Sequence, residues 1–585
     1  MPIDDTLRAR VQAWVDDDPD PATRAELTDL LDRDDAHDEL QERFGERLAF
    51  GTAGLRGVLG GGPNRMNRKI VLEATAGLCA YVKDQVPEAT ERGVCIGFDG
   101  RHLSLELADD ATRVALGMGF RVERFREVVP TPVLGFACLR RGAAAGIMIT
   151  ASHNPPAYNG YKVYWANGAQ IIPPHDKGIA AAIDAVESVR SLALGDIDEA
   201  RASGRLVDIG EELDREYLDA VKALPLHPEV PRSLSIAYTA LHGVGNRLAL
   251  AAFAESGFSE VHSVPEQAEP DGDFPTVAFP NPEEEGAMDL VLALATAKGA
   301  DLVLANDPDA DRLAVAVRDG EGYRQLTGNE VGLLLGDYLL GEGDQEGDRV
   351  VINTIVSSPL LQDLAAAHGA RFEQVLAGFK WIAHRAIAIT DAGARFVYGY
   401  EEALGYSVGD LVRDKDGIST AVVMADLAAF RASQGQTLLD DLDRLARRYG
   451  VMASRQVSVV LPGSEGAARI TAIMDAVRSS PFDALGPYRV TATTDVLTGK
   501  RTTADGAAEP IGLPKGNVLS FDLEGGHRVM LRPSGTEPKI KYYFDVRVEP
   551  GAEEASDTVD ARAQALIDEL VDALGAVIGE GGPRR

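Results

Sequence analysis

Hydrophobic positions along this chain come in short runs that stop abruptly. A β-branched, apolar run ends in a polar or glycine-rich loop, and a stretch with helical spacing follows. Such runs are VCIGFDGR ending near Arg101, GIMITASHNPP near Pro156, LSIAYTALHGVG near Gly245, DLVLANDPDADR near Arg312, RVVINTIVSS near Ser358 and RFVYGYEEALGY near Tyr406. Strands alternating with helices are the pattern of α/β domains. The runs fall into three pairs, which predicts three α/β segments of similar architecture, without sequence identity between them. Ahead of them, residues 1 to 45 are acidic and helically spaced, with Leu27, Leu30, Leu31, Leu40 and Phe44 available to line an apolar face. After Met452 the pattern changes. RQVSVVLPG, GPYRVTATTDVLTG, GNVLSFDLEGG and HRVMLRPSGTEPKIKYYFDV predict mixed strands, and a helix from about Ala555 to Ile578 closes the chain. The expected organisation is therefore a helical extension (1–45), α/β segments at 46–225, 226–325 and 326–450, and an α+β segment at 451–585.

Composition narrows the class. The length of 585 residues corresponds to about four domains of ordinary size, and 45% hydrophobic with 25% charged residues is typical of a globular chain. Charge is the unusual property: 58 Lys and Arg stand against 91 Asp and Glu, a net −33. Such a surface repels nucleic acid and anionic lipid, so an anionic ligand must be held by local cations. Cys79, Cys95 and Cys138 never form a C-x-x-C pair, which argues against a disulfide framework or a structural zinc site. The acidic amino terminus and the lack of any apolar run near 18 residues argue against a signal peptide or a membrane span. A cytoplasmic protein, monomer or dimer, with no nucleic-acid or membrane partner is the expectation.

Candidate chemistry sits in the loops that end the runs. In NDPDADR, Asp307, Asp309 and Asp311 alternate directly after DLVLA, which can aim three hard oxygen ligands at one Mg²⁺. A calcium hand is excluded, since its sixth and twelfth positions would be Arg312 and Arg318 in place of Gly and Glu. In TASHNPPAYNGYKVYW, Ser152 precedes His153 and Asn154 on a turn broken by two prolines, outside any G-x-S-x-G context. It could carry a phosphoryl group, with Lys162 as a nearby cation or proton-transfer group. RPSGTEPK offers Arg532, the Ser534 and Thr536 hydroxyls and the amides around Gly535, the parts of a phosphate cradle that is not a Walker loop. VYGYEEALGY brings Glu401 and Glu402 to a run's end, where a carboxylate can accept two sugar hydroxyls, and Lys415 follows in KDG. GTAGLRGVLG with Arg56 and VLAGFKW with Gly378 and Lys380 each set one cation among glycines. Taken singly, these patterns also fit plainer roles: a solvated acidic turn, a turn-forming serine, an ordinary β-turn, an exposed glutamate.

Taken in order, the loops resemble the alpha-D-phosphohexomutase superfamily of phosphoglucomutases and phosphomannomutases, from about Phe50 to about Tyr543. TASHNPPAYNGYKVY resembles its phosphoserine loop, DPDADR its metal loop, GYEEALGY its sugar loop and RPSGTEPK its phosphate-binding loop. The GFKW segment, YEEALGY and the long extension look closest to the phosphopentomutase-like and glucose-1,6-bisphosphate-synthase-like branch. The resemblance implies three similar α/β domains with mixed sheets and a C-terminal α+β domain around a central cleft that can close. It implies that Ser152 is phosphorylated and, with Asp307, Asp309 and Asp311, binds Mg²⁺. Arg56 and Lys162 match residues of phosphoryl and proton transfer, and Lys415 a lysine near the reacting sugar. Glu401 would hold sugar hydroxyls, and Arg312, Gly378 and Lys380 would select orientation. Arg532, Ser534, Gly535 and Thr536 would clamp the phosphate that is not reacting. The implied reaction interconverts an aldose 1-phosphate and 6-phosphate through a sugar 1,6-bisphosphate, which also primes the enzyme. Ala403, Leu404 and Tyr406 depart from the polar residues and histidine common in the sugar loop. Glucose phosphate is the expected substrate, with mannose or pentose phosphates as alternatives and a Mg²⁺-dependent phosphatase or kinase, or a non-catalytic sugar-phosphate binder, as readings of another class.

Overall fold

VCIGF and AGIMI are buried at every position, as strands covered on both faces must be. In the computed structural model, which describes residues 3–461, 463–534, 539–551 and 554–584, they are neighbouring parallel strands of a six-stranded sheet. The order across that sheet is Leu55–Val58, Tyr158–Trp165, Ala145–Ile149, Val94–Phe98, Val122–Phe125 and Leu206–Ile209. Tyr158–Trp165 runs antiparallel to its neighbours, so residues 150–157 form a tight return between it and Ala145–Ile149. Ser152 sits in that return. Helices Arg68–Gln85, Ser104–Gly117 and Thr131–Arg141 bury apolar faces against the sheet.

Contacts divide the chain into two units, the first made of Met1–Gly328 and Phe379–Gln434, the second of Asn329–Gly378 and Gly435–Arg585. The expected segment 326–450 contributes to both. In the first unit the extension forms helices Asp5–Asp17, Pro21–Leu31 and His37–Gly45. Asp4 and Asp20 cap the first two by accepting from Leu7 N and Ala22 N, and Leu27, Leu30, Leu31, Leu40 and Phe44 meet in one buried cluster with Leu7 and Val11. The extension is fastened to the six-stranded domain. Lys69 pairs with Asp17 at 2.8 Å and lies 4.2 Å over the Trp14 ring, while Glu26 accepts from both Arg43 (2.7 Å) and Gly61 N (2.8 Å). That second tie holds the loop leaving Leu55–Val58.

A second sheet of this unit has the order Gly322–Gln325, Ala314–Asp319, Leu302–Ala305, Ile236–Thr239 and Val261–Ser263. Its middle strand, LVLA, is wholly buried and ends at the loop of Asp307, Asp309 and Asp311 before turning back antiparallel. The unit is completed by the hairpin Arg395–Glu401 and Gly405–Val408 with helices Phe379–Asp391 and Gly417–Ser433.

The second unit contains the parallel pair Arg349–Thr354 and Arg371–Val375 and, separately, an antiparallel meander ordered Val451–Val460, Lys539–Val548, Arg528–Pro533, Leu519–Leu523, Tyr488–Asp495, Lys500–Thr503 and Ala508–Pro510. Alternation in Leu519–Leu523 puts Leu519, Phe521 and Leu523 on the covered face, against helix Ser556–Ile578. Among the described residues no helix is long and apolar enough to cross a membrane, and the three cysteines are buried and free.

Candidate functional site

Ser152 is 3% exposed and holds a left-handed backbone (φ 52°), a conformation that costs a non-glycine residue and persists only where the surroundings impose it. Arg101 does so. One guanidinium nitrogen donates to the carbonyls of Ser152 and Asn154, both at 2.5 Å, and the other to those of Pro155 (3.0 Å) and Tyr158 (3.2 Å). Burial pushes the Arg101 guanidinium below its usual range, although Asp99 opposes the shift. Phe274, itself left-handed at φ 46°, lies 4.8 Å from the guanidinium. Thr150 Oγ1 accepts from Ser152 N at 2.8 Å.

This backbone aims Ser152 Oγ at the aspartates: it donates to Asp307 Oδ2 at 2.8 Å and lies 3.2 Å from His153 Nδ1. Burial, with Arg312 and Arg56, pushes the His153 imidazole below its usual range. Asp307, Asp309 and Asp311 are at most 1% exposed, and one carboxylate oxygen from each lies within 4.8 Å of the others. Their neighbours are cationic. Lys162 Nζ donates to Asp309 Oδ2 at 2.7 Å and Asp311 Oδ2 at 3.1 Å, while Lys415 Nζ is 3.2 Å from Asp311 Oδ2 and 4.0 Å from Glu401 Oε1. Thr131 Oγ1 donates to Asp309 Oδ2 at 2.6 Å, and Arg312 N to Asp307 Oδ1 at 3.0 Å.

The electrostatics follow from this crowding. Burial pushes the Asp307 carboxyl up, and Asp309 and Asp311 add to the shift. Burial would raise Asp309 as well, but Lys162 and Thr131 outweigh it and hold that carboxyl below its usual range. Burial works against the Lys162 and Lys415 ammonium groups, but the carboxylates beside each outweigh it and both stay charged. Asp309 Oδ1 and Asp311 Oδ1 are buried with no hydrogen-bond partner among the described residues. Two orphaned carboxylate oxygens beside a third carboxylate and a serine hydroxyl fit a hard divalent cation, Mg²⁺ above all.

Other expected residues also belong to the first unit. Arg56 Nη1 donates to Asn154 Oδ1 at 2.9 Å, on the serine loop. Arg312 pairs with Glu283 at 3.3 Å, and the Lys380 ammonium donates to Thr52 Oγ1. Burial raises the Glu401 carboxyl, although Lys415 opposes it. Gly378, Arg532 and Ser534 belong to the second unit, where Arg532 lies opposite Lys541 in the sheet and Ser534 N donates to Lys539 O at 2.8 Å. Gly535 and Thr536 lie outside the described residues. Sequence reasoning missed Arg101, Thr131, Glu283 and Asp414. The DGR ending of the first run was the available signal for Arg101, and the DKDG context for Asp414.

Family models described as phosphoglucomutase/phosphomannomutase alpha/beta/alpha domains I, II and III match residues 47–190, 215–320 and 327–449. A probable phosphoribomutase of Schizosaccharomyces pombe is 39% identical over 93% of this chain and 94% of its own. The glucose 1,6-bisphosphate synthase of Homo sapiens is 34% identical over 98% of this chain and 94% of its own. Among solved structures, a putative phosphomannomutase from Thermus thermophilus superposes with a TM-score of 0.68 at 22% identity, covering 91% of this chain and 99% of that one, and so shares the fold.

Proposed function

The chain belongs to the phosphoglucomutase/phosphomannomutase family of phosphosugar mutases, and from that premise we propose that it interconverts glucose 1-phosphate and glucose 6-phosphate, with Ser152 as the phosphoryl carrier. One observation carries the assignment of the centre: Ser152 Oγ, on a left-handed backbone, donates to Asp307 beside two orphaned carboxylate oxygens. Phosphoserine 152 gives its phosphoryl group to a free hydroxyl of the bound sugar phosphate. The bond from phosphorus to Ser152 Oγ breaks, one to the sugar oxygen forms, and the hydroxyl proton ends on Ser152 Oγ. The bisphosphate turns round and returns its other phosphoryl group by the reverse step. A divalent cation held by Asp307, Asp309, Asp311 and the seryl phosphate would offset charge on the group in transfer.

The remaining work falls to the protein's own groups. Lys162 and Lys415, held charged by the aspartates, balance negative charge as the dianionic substrate enters. Arg56 reaches the serine loop through Asn154 and is assigned to the transferring phosphoryl group. Glu401 is assigned to the sugar hydroxyls, and Arg312, Gly378 and Lys380 to orientation. By the resemblance, Arg532, Ser534, Gly535 and Thr536 take the phosphate that is not reacting.

Purified protein with Mg²⁺ and a trace of glucose 1,6-bisphosphate should convert glucose 1-phosphate to glucose 6-phosphate without releasing inorganic phosphate. No conversion of glucose 1-phosphate, alongside conversion of ribose 1-phosphate, would overturn the hexose assignment and leave the phosphoserine chemistry standing. That second reading, a pentose phosphate mutase, is supported by the phosphoribomutase name of the Schizosaccharomyces pombe relative.

A further inference from the structure

We propose that Asp414 is a positioning residue that ties Lys415 to the strand carrying Lys162, so that the two ammonium groups keep a fixed spacing over Asp311. The idea rests on the reading above only in assigning Lys415 to the reaction centre. Asp414 is 1% exposed, and a carboxylate buried this deeply must be supplied with donors. Its Oδ2 accepts from Tyr164 OH at 2.6 Å and from Gln170 Nε2 at 2.7 Å. Its Oδ1 accepts from Lys415 N at 2.8 Å and lies 3.8 Å from Lys415 Nζ. Asp414 therefore touches Lys415 at both ends of the residue, backbone and ammonium.

Tyr164 is the other half of the tie. It stands two residues after Lys162 on strand Tyr158–Trp165, so both side chains leave the same face. Lys162 reaches Asp311 Oδ2 directly, and Tyr164 reaches the same oxygen through Asp414 and Lys415. The path closes into a ring: Tyr164, Asp414, Lys415, Asp311, Lys162 and the strand between Lys162 and Tyr164. Space for the lysine stem is kept by Gly405, where a Cβ would meet Lys415 Cδ at 2.3 Å and Glu401 Cγ at 2.9 Å. The Phe379 ring lies 5.8 Å from the ammonium. Lys415 thus has a fixed channel, and Asp414 sets how far along it the ammonium extends.

A neighbouring pair of the same chemistry supplies the control. Tyr217 OH donates to Asp416 at 2.8 and 2.9 Å, but Asp416 spends its Oδ1 on capping helix Gly417–Ser433, accepting from Ile418 N and Ser419 N. D414N, Y164F, the double variant and Y217F should be compared in the full-length protein for kcat and KM on its best aldose 1-phosphate, for melting temperature, and for acylation of Lys415 by acetic anhydride read by peptide mass. D414N and Y164F are each expected to lower kcat about tenfold with KM within about twofold, and the double variant to lose no more than D414N alone, because both sit on one path. Lys415, whose side chain is 11% exposed, should acylate several-fold faster in both single variants. Y217F should lower the melting temperature and leave kcat and Lys415 labelling unchanged. Should D414N fail to fold, Y164F, which removes only a hydroxyl, answers the same question. Wild-type kcat and wild-type Lys415 labelling in Y164F would overturn the proposal, as would losses in kcat that add in the double variant. If the wild-type protein converts no aldose phosphate, the mutase reading fails on that result, and the labelling of Lys415 still decides whether Asp414 positions it.

Discussion

Lys162 and Lys415 meet on one oxygen, Asp311 Oδ2, at 3.1 and 3.2 Å. They come from different parts of the chain, one from a strand of the first sheet and the other from the loop before helix Gly417–Ser433. Around the three buried aspartates, Asp309 and Asp311 each keep one carboxylate oxygen with no hydrogen-bond partner among the described residues. A divalent ion would satisfy both oxygens, which gives the first test.

Removing divalent ions with a chelator should abolish turnover, and Mg²⁺ should restore it. Asp309→Asn removes the charge that Thr131 donates to, leaves Lys162 with Asp311 as its remaining charged partner, and should cut kcat by about 100-fold or more at saturating Mg²⁺. Metal titration of activity and calorimetric binding of Mg²⁺ check both parts; a chelated enzyme that keeps its rate would refute the assignment.

Ser152 should carry phosphate. Incubation with glucose 1,6-bisphosphate is expected to add the mass of one phosphoryl group, located by peptide mapping to the loop of Ser152. Ser152→Ala should gain no mass and lose about 1000-fold or more in kcat, since the covalent step is then missing. Near-normal turnover in that variant would rule out the carrier role.

Arg101 holds the left-handed turn by donating to four of its carbonyls, those of Ser152, Asn154, Pro155 and Tyr158. Arg101→Lys keeps the charge but loses the planar fork, and Arg101→Ala takes every one of those donors away. Unfolding free energy should fall by about 2 kcal/mol or more in the alanine variant. Both variants should lower kcat, because Ser152 loses its aim; denaturant unfolding and kinetics together measure the pair of effects.

At acid pH the rim of the first sheet should report its own ion pair. The Arg201 guanidinium bonded to Asp208 holds that carboxyl below its usual value, against a smaller effect of burial. A lowered folded-state value means the contribution is complete above the unfolded value of about 3.9 and fades as pH falls through the folded one. The stability difference between wild type and Asp208→Asn should therefore be constant from about pH 7 to 5 and shrink below about pH 4. A difference that grows on acidification would contradict the pairing.

Much of the centre was legible because the chemistry sits where buried strands end. Ser152 after GIMIT and the aspartates after DLVLA occupy the first turns that reach the site, so polar residues there stand out against the apolar runs. The extension was legible for a similar reason, its leucines being regularly spaced. What pattern alone could not disclose was pairing across distance. Arg101, Thr131 and Asp414 act on residues far along the chain, and their local surroundings look like ordinary strand ends and turns. Nor does periodicity tell which neighbours a segment will choose, and so the contribution of 326–450 to both units came only with the contacts.

That discontinuity sets an order on biosynthesis. The serine loop and the three aspartates leave the ribosome well before Lys415, which lies beyond a stretch, 329–378, that belongs to the other unit. Roughly a hundred residues separate Asp311 from Lys415, about 5 to 20 s of elongation at usual rates. An acidic cluster formed within that interval would have Lys162 as a partner and lack its second lysine. The cluster is thus completed late, and a ribosome stalled before Lys415 would display the serine loop and the aspartates without their second lysine.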